Sequence, residues 1–280
     1  MINKILQLVK LQHSLFAMPF TIAAMLMAAE GLPEVEKCLW ILFAFVGARS
    51  FGMSMNRLID RHLDAQNPRT EHRLMASGQI TPMQLAPFAL LFASMLSVSA
   101  YNLGEWPLKL LPLCLAALVI YPYFKRFSLF AHTFLGFVLG LAPIGAWLAV
   151  LDTWHSAPIF LSMSIVLWVN GFDIIYAIQD MDFDKKQGLK SVPAYFGKTK
   201  SLNIALFLHI CVPIFWYLVG STLDYGAVYF WGILLLSTIL IFEHHMVRKG
   251  YRKNIGLVFF KLNSTISLGY LFIVTMQVFL

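Results

Sequence analysis

Nine long apolar runs dominate this 280-residue chain and limit what it can fold into. Each is about 20 residues long, the length that a helix needs to cross a hydrocarbon core of ~30 Å. They lie at roughly 13–29, 38–56, 82–101, 107–124, 131–150, 157–178, 201–220, 226–243 and 256–279. Backbone polar groups cannot stay unpaired in lipid, so each run must be helical. The sequence predicts an all-α integral membrane protein, a bundle of nine transmembrane helices forming one polytopic domain over residues 1–280.

The distribution of charge predicts how the chain is oriented. Only 12% of the residues are charged, against roughly 25% in a soluble domain. With a cytoplasmic N-terminus, the inside segments hold 17 of the 21 Lys and Arg residues, and the outside loops hold only Lys37 and Lys109. This bias follows the positive-inside rule and explains the net charge of +7 without nucleic-acid binding. We therefore expect a multi-pass protein of the cell's inner (cytoplasmic) membrane, with the lipid bilayer as its surroundings and no protein partner implied.

Two pairs of aspartates interrupt this apolar pattern. Asp60 and Asp64 form the first pair and Asp180 and Asp184 the second, each with a spacing of four. On a helix this spacing places both carboxylates on one face, and Asn56 lies one turn before the first pair. Hard oxygen ligands on neighbouring turns are suited to Mg²⁺, which is usually held by one or two carboxylates plus substrate phosphates. The alternative is that these acids only cap helices or pair with nearby Lys and Arg.

Helix parity places both aspartate pairs on the same side of the membrane. Four predicted helices separate them, and an even number returns the chain to the side from which it started. That side is the basic, cytoplasmic one. The arrangement indicates two pseudo-repeated four-helix units plus one further helix, a symmetry known among membrane proteins.

Basic residues follow each acidic motif. Guanidinium groups bind phosphate oxygens in a bidentate manner, and Lys acts as a point charge. Carboxylates, Mg²⁺ and these cations together predict a diphosphate-binding site, although cytoplasmic loops are basic for topological reasons as well. The candidate diphosphate ligands, besides Asn56, are Arg69, Arg73, Lys125, Arg126 and Lys185.

Three further polar residues share the acidic faces deeper in the predicted helices. Arg49 lies eleven residues before Asp60, about 16 Å along a helix, and an unpaired charge there costs roughly 2.5–3.5 kcal/mol. It is a candidate for binding the carboxylate of a second substrate, with a salt bridge to Asp173 as the alternative. Asp173 itself is a candidate for orienting an acceptor hydroxyl or acting as a base, and Tyr176 is a candidate acceptor-binding residue.

At these residues the chain resembles the UbiA superfamily of intramembrane aromatic prenyltransferases. Asn56, Asp60 and Asp64 match the family's NxxxDxxxD motif, and Asp180 and Asp184 match its DxxxD motif. One departure is that LMASG follows Arg73, where the family usually has PLPSG. Further matches are RxxGxxxN from Arg49 to Asn56, NPRT at 67–70, YPxxKR at 121–126 and GxxSxPxxxG from Gly188 to Gly197.

The resemblance implies a nine-helix bundle that is an Mg²⁺-dependent polyprenyltransferase. Its substrates would be a polyprenyl diphosphate and a hydroxylated aromatic carboxylate of the 4-hydroxybenzoate type, as in respiratory quinone (ubiquinone) biosynthesis. It implies catalytic roles for Asp60, Asp64, Asp180 and Asp184, which bind the metal with Asn56. The diphosphate ionises to an allylic cation, which the ring attacks ortho to its hydroxyl.

Three alternatives remain open from the sequence. The form NRxxDxxxDxxNPRT also resembles enzymes that prenylate a dihydroxynaphthoate in menaquinone biosynthesis. A haem-modifying farnesyltransferase of the same superfamily has little support, because no histidine constellation is evident. A secondary transporter would place ionisable groups near the midplane of the membrane, whereas here the acids cluster at the ends of helices.

Overall fold

The computed structural model describes residues 2–9, 16–250 and 255–280, and within these ranges every regular element is helical. Eight helices are long and apolar enough to span a membrane, and a ninth apolar helix, Met18–Ala29, is shorter. The prediction of an all-α, multi-pass membrane protein is confirmed. The predicted inside residues Lys10, Arg252 and Lys253, and residues 13–15 of the predicted first span, lie outside the described ranges.

The helices follow the predicted order, with two short additions. One addition is the helix Ile2–Val9, and the other is Met181–Lys186, which follows a 3-10 turn at Ile178–Asp180. In chain order the helices are α1 (Ile2–Val9), α2 (Met18–Ala29), α3 (Val35–Gln66), α4 (Pro82–Leu103), α5 (Glu105–Phe127), α6 (Ala131–Leu151), α7 (Ser156–Ala177), α8 (Met181–Lys186), α9 (Val192–Thr222), α10 (Ala227–Arg248) and α11 (Ile255–Phe279).

These helices form two compact units. The first unit contains α1, α3, α4 and most of α5, and the second contains α2, the last residues of α5 and α6 to α11. This grouping is unequal, whereas the sequence predicted two four-helix repeats plus one helix. The repeat and the single domain over residues 1–280 stay predictions.

In the first unit, α3 lies close against α4, and α1 covers the end that carries the first acidic motif. A Cβ at Gly47 would lie 2.8 Å from the backbone nitrogen of Leu96, so the close approach of α3 to α4 requires glycine. Ile5 and Leu8 of α1 belong to a buried cluster that includes Met53 of α3. The short helix α1 thereby buries apolar side chains beside the acidic end of α3.

In the second unit, α7 is the central helix. It packs against both α6 and α9, and 67% of its most apolar stretch is buried, against 22–39% in the other spanning helices. A Cβ at Gly136 of α6 would lie 2.6 Å from the carbonyl oxygen of Val166, so these helices also meet through backbone. The central helix leads directly into the second acidic motif.

Two glycines shape the segment that follows this motif. Gly188 has a φ of 67° and Gly197 a φ of 76°, values that favour glycine because it lacks a Cβ. Gly188 ends the turn after α8, and Gly197 produces a kink inside α9. The segment between them includes Ser191, the N-cap residue of α9. The predicted GxxSxPxxxG motif is therefore a loop and a helix start with a defined backbone.

Candidate active site

The first acidic motif lies on the last three turns of α3. Asp60 and Asp64 are 3% and 7% exposed, although they lie near the end of the helix. The amide nitrogen Nδ2 of Asn56 donates to Oδ2 of Asp60 at 3.2 Å. The three residues therefore occupy neighbouring turns of one helix face, as the spacing of four predicts.

Two arginines hold Asp64. Nη1 of Arg73 lies 2.7 Å and 2.9 Å from the two carboxylate oxygens, and Nη1 of Arg57 lies 3.7 Å from Oδ2. Arg57 also donates to Oδ1 of Asn56 at 3.3 Å. Arg57 is buried, and it was not among the predicted site residues. Its position seven residues before Asp64, two helical turns away, is a signal that could have identified it.

The turn after α3 brings Arg73 back to this motif. The side-chain oxygen of Asn67 accepts from the backbone nitrogen of Arg69 at 2.9 Å. The hydroxyl of Thr70 donates to the backbone oxygen of Asp64 at 3.0 Å. The NPRT sequence therefore forms a local turn that caps the C-terminus of α3, and the partly buried Arg69 lies within it.

Arg49 lies in α3, deeper than the acidic motif. It is half-buried, and its Nε atom is inaccessible and has no hydrogen-bond partner among the described residues. Tyr121 of α5 lies near it. A buried donor without a partner costs about 1–3 kcal/mol, so this position favours a ligand with acceptor oxygens.

The second acidic motif spans a change of helix type. The sequence predicts that Asp173, Asp180 and Asp184 lie on one face of a continuous α-helix. In the structure, α7 ends at Ala177 and a 3-10 turn follows. The 3-10 turn is tighter than an α-helix, so the simple helical register between Asp173 and Asp180 does not hold. The carboxylates of Asp180 and Asp184 still interact repulsively, which a bound cation would relieve.

Asp184 has polar neighbours from two other elements. The hydroxyl of Ser191 is hydrogen-bonded to its carboxylate, and Lys125 at the end of α5 interacts with it electrostatically. The backbone nitrogen of Lys190 donates to the backbone oxygen of Lys125 at 2.6 Å, which joins α5 to the loop before α9. Lys125 is therefore placed beside the second motif.

The remaining predicted site residues of this unit are placed as follows. Arg126 and Lys185 are exposed at the ends of α5 and α8. Tyr176 is half-buried one turn before Asp180. Asp173 is paired with His132, whose Nδ1 lies 2.7 Å from Oδ2. His132 was not among the predicted site residues, because its partner is 41 residues away and no local spacing indicates it.

The carboxylate sets fit the requirements of Mg²⁺. Among the described residues, no group of three or more His, Cys, Asp or Glu side chains forms a complete metal cage. Each motif offers two carboxylates, and the first also has an amide. This is the ligand set that Mg²⁺ uses when waters and substrate phosphates complete its coordination.

A bundle of spanning helices with two aspartate pairs, one beside arginines and one beside a lysine, is typical of a polytopic helical membrane enzyme. Residues 17–265 match the UbiA prenyltransferase family, and the chain belongs to that family. This confirms the resemblance found in the sequence motifs.

Similar proteins of known name and structure agree with this assignment. The 4-hydroxybenzoate octaprenyltransferase of Vibrio cholerae serotype O1 is 30% identical over 81% of this chain and 80% of its own length. The enzyme of the same name from Vibrio vulnificus (strain CMCP6) is 30% identical over 83% and 82%. The apo structure of a UbiA homolog from Aeropyrum pernix K1 covers 95% of this chain and 97% of that chain, with a TM-score of 0.83 and 28% identity.

A more distant structure shares the same fold. A UbiA homolog from Archaeoglobus fulgidus, bound to GPP and Mg²⁺, covers 98% of this chain and 99% of that chain. Its TM-score is 0.70 and its identity 19%. At this identity the similarity supports the fold of the chain.

Proposed function

We propose that this protein transfers a polyprenyl group from polyprenyl diphosphate to the ring of a hydroxylated aromatic carboxylate, of the 4-hydroxybenzoate type. The observation that carries the proposal is the first acidic motif, where Asp60 and Asp64 are buried and flanked by Asn56 and two arginines. The names of the Vibrio relatives support the choice of acceptor.

Mg²⁺ is the proposed cofactor. Asn56, Asp60 and Asp64 in one motif, and Asp180 and Asp184 in the other, are its proposed ligands. When bound, Mg²⁺ would neutralise the diphosphate and stabilise it as a leaving group. The donor set supports this assignment, since all five side chains offer hard oxygen atoms.

The diphosphate is proposed to bind to the cations near these motifs. Arg73 and Arg57 already contact a carboxylate, and guanidinium groups can also bind phosphate oxygens. Lys125 contributes a point charge beside Asp184. Arg69, Arg126 and Lys185 complete the proposed set.

The acceptor is proposed to bind through Arg49, Asp173 and Tyr176. The unpartnered Nε of Arg49 supports a role in binding the acceptor's carboxylate. Asp173 accepts a hydrogen bond from the acceptor hydroxyl, which raises the electron density of the ring. The bond between the allylic carbon and the diphosphate oxygen breaks and releases diphosphate, and a carbon–carbon bond forms ortho to the hydroxyl. Asp173, the candidate base, then takes the ring proton, and the ring regains aromaticity.

The active site is proposed to face the cytoplasm, with a cytoplasmic N-terminus. The support is the distribution of Lys and Arg, 17 of which fall in the segments predicted inside. Both substrates carry negative charge, so a basic face suits their approach.

The test is transfer of a labelled polyprenyl group in membranes that contain the protein and Mg²⁺. We expect transfer to 4-hydroxybenzoate, and a loss of at least ~100-fold in Asp60→Asn and in Asp180→Asn. Asp182→Asn is the matched control, because Asp182 is exposed on α8 between the two proposed ligands. It should retain activity.

The acceptor is tested in the same assay with a dihydroxynaphthoate offered beside 4-hydroxybenzoate. Transfer to the naphthoate alone would overturn the acceptor proposed here and leave prenyl transfer in place. If neither acceptor is prenylated, the proposed function is overturned. If Asp60→Asn keeps full activity, the metal assignment is overturned.

A further inference from the structure

His132 joins two segments of the second unit that are far apart in sequence. It lies at the start of α6 and is 5% exposed. Its Nδ1 lies 2.7 Å from Oδ2 of Asp173 on α7, and its Nε2 lies 3.4 Å from the backbone nitrogen of Val192. One buried ring therefore contacts both the proposed acceptor-orienting carboxylate and the first residue of α9.

These contacts determine which ring nitrogen of His132 carries the proton. The backbone N–H of Val192 is a donor only, so Nε2 must accept and carries no hydrogen. Nδ1 then carries the proton and donates it to Asp173. The contacts fit the Nδ1–H tautomer and leave the ring with no unused polar atom.

Each contact leads to a different part of the proposed chemistry. Asp173 is the proposed partner of the acceptor hydroxyl. Val192 follows Ser191, whose hydroxyl caps α9 by accepting from the backbone nitrogen of Ala194 and also contacts Asp184. His132 thus contacts Asp173 and Val192, the first residue of α9. The N-cap of α9, Ser191, contacts Asp184, a proposed metal ligand.

The exposure of the two partners leaves Asp173 accessible to a ligand. The side chain of His132 is 7% exposed and that of Asp173 is 26% exposed. The histidine contacts one oxygen of the carboxylate, and part of the Asp173 side chain stays accessible. Here the histidine holds the carboxylate from the buried side and leaves another side of it open to a ligand.

We propose that His132 is a positioning residue that aligns Asp173 with the acceptor hydroxyl. The inference rests on the proposed function, since the acceptor is the ligand that Asp173 would meet. A displacement of about 1 Å in such a group can reduce the rate by about 100-fold.

The first test reports on the geometry without any turnover. Solid-state nitrogen NMR of ¹⁵N-histidine-labelled protein in lipid bilayers, with His132→Gln used to assign the signal, measures the tautomer directly. We expect the protonated nitrogen to be Nδ1, and Asp173→Asn to perturb this signal. The Nε2–H tautomer, or no response to Asp173→Asn, would overturn the proposal even if transfer proceeds normally.

The second test separates positioning from packing by kinetics. His132→Gln retains one donor and one acceptor, whereas His132→Leu retains only bulk. We expect kcat/KM for the acceptor to fall by about 10–100-fold in His132→Leu and to recover largely in His132→Gln. The KM for polyprenyl diphosphate should change less than threefold in both.

The control is His245→Gln, because His245 is exposed on α10. Its kcat/KM for the acceptor and its thermal stability should equal those of the unmodified protein. A merely structural role for His132 would lower thermal stability in both variants and shift both KM values together, and that result would overturn the proposal. If the unmodified protein transfers no prenyl group, the proposed function fails, while the NMR result still decides the geometry.

Discussion

Arg73 binds both carboxylate oxygens of Asp64 through one guanidinium nitrogen, at 2.7 Å and 2.9 Å. The sequence predicted Arg73 as a diphosphate ligand and Asp64 as a metal ligand. Their direct contact links the two roles, since a cation that binds Asp64 competes with Arg73. An arginine displaced in this way becomes available to phosphate oxygens.

Removal of Arg73 should therefore make the protein more dependent on Mg²⁺. Arg73→Ala leaves the poorly exposed Asp64 with only the longer contact to Arg57, at 3.7 Å. We expect a loss of about 1–3 kcal/mol of stability in the presence of a chelator. Thermal unfolding in detergent should show a larger gain on addition of Mg²⁺ than the unmodified protein shows. Arg61→Ala is the control, because Arg61 bonds only the backbone oxygen of Leu58 in this motif. Equal Mg²⁺ responses in all three proteins would contradict the competition.

Arg49 should discriminate acceptors by their carboxylate. A charged hydrogen bond contributes about 1.5–3 kcal/mol, which corresponds to roughly 10–100-fold in kcat/KM. We expect the unmodified protein to favour 4-hydroxybenzoate over its methyl ester by this factor. In Arg49→Gln the kcat/KM for 4-hydroxybenzoate should fall to that for the methyl ester, while the kcat/KM for the ester changes little. Transfer assays with both acceptors check this. A loss that is equal for acid and ester would show that Arg49 acts on packing.

The sequence predicted the spanning helices well because the bilayer imposes a length and an apolar composition on each. It also predicted the polar face of α3, since one continuous helix, Val35–Gln66, carries Arg49, Asn56 and both aspartates. The second motif was less predictable. The 3-10 turn at Ile178–Asp180 breaks the period that links Asp173 to Asp180.

Two site residues were not predicted from the sequence. His132 makes long-range contacts, and Arg57 is adjacent to the predicted ligand Asn56. His132 meets Asp173 across 41 residues and Val192 across 60, and neither distance has a periodic signature. Arg57 is one of the 17 basic residues in the segments predicted inside, but it lies buried against Asp64. Charge counting places such residues on a side of the membrane, and packing decides whether they belong to a site.

The close contact between α6 and α7 should depend on Gly136. A Cβ at this position would lie 2.6 Å from the backbone oxygen and 2.9 Å from the Cα of Val166. Backbone atoms cannot move aside as a side-chain tip can, so Gly136→Ala should cost about 1–3 kcal/mol. Gly145→Ala on the same helix is the control, since a Cβ there meets no described atom within 4 Å. Thermal unfolding in detergent should separate the two variants, and equal midpoints would contradict the predicted clash.

Ser191 should contribute to activity beyond its role as a helix cap. It accepts a hydrogen bond from the backbone nitrogen of Ala194 at 3.3 Å, and its hydroxyl also contacts Asp184. Ser191→Ala should cost about 1 kcal/mol as a lost N-cap and should also lower kcat/KM, because Asp184 loses a partner.

Thr81→Ala is matched for the cap alone, since Thr81 caps α4 with the same 3.3 Å bond to Gln84 and has no part in either acidic motif. Unfolding and transfer measured on both variants should show similar losses of stability, with reduced transfer in Ser191→Ala alone. Equal activity in the two would mean that the contact with Asp184 does not bear on the chemistry.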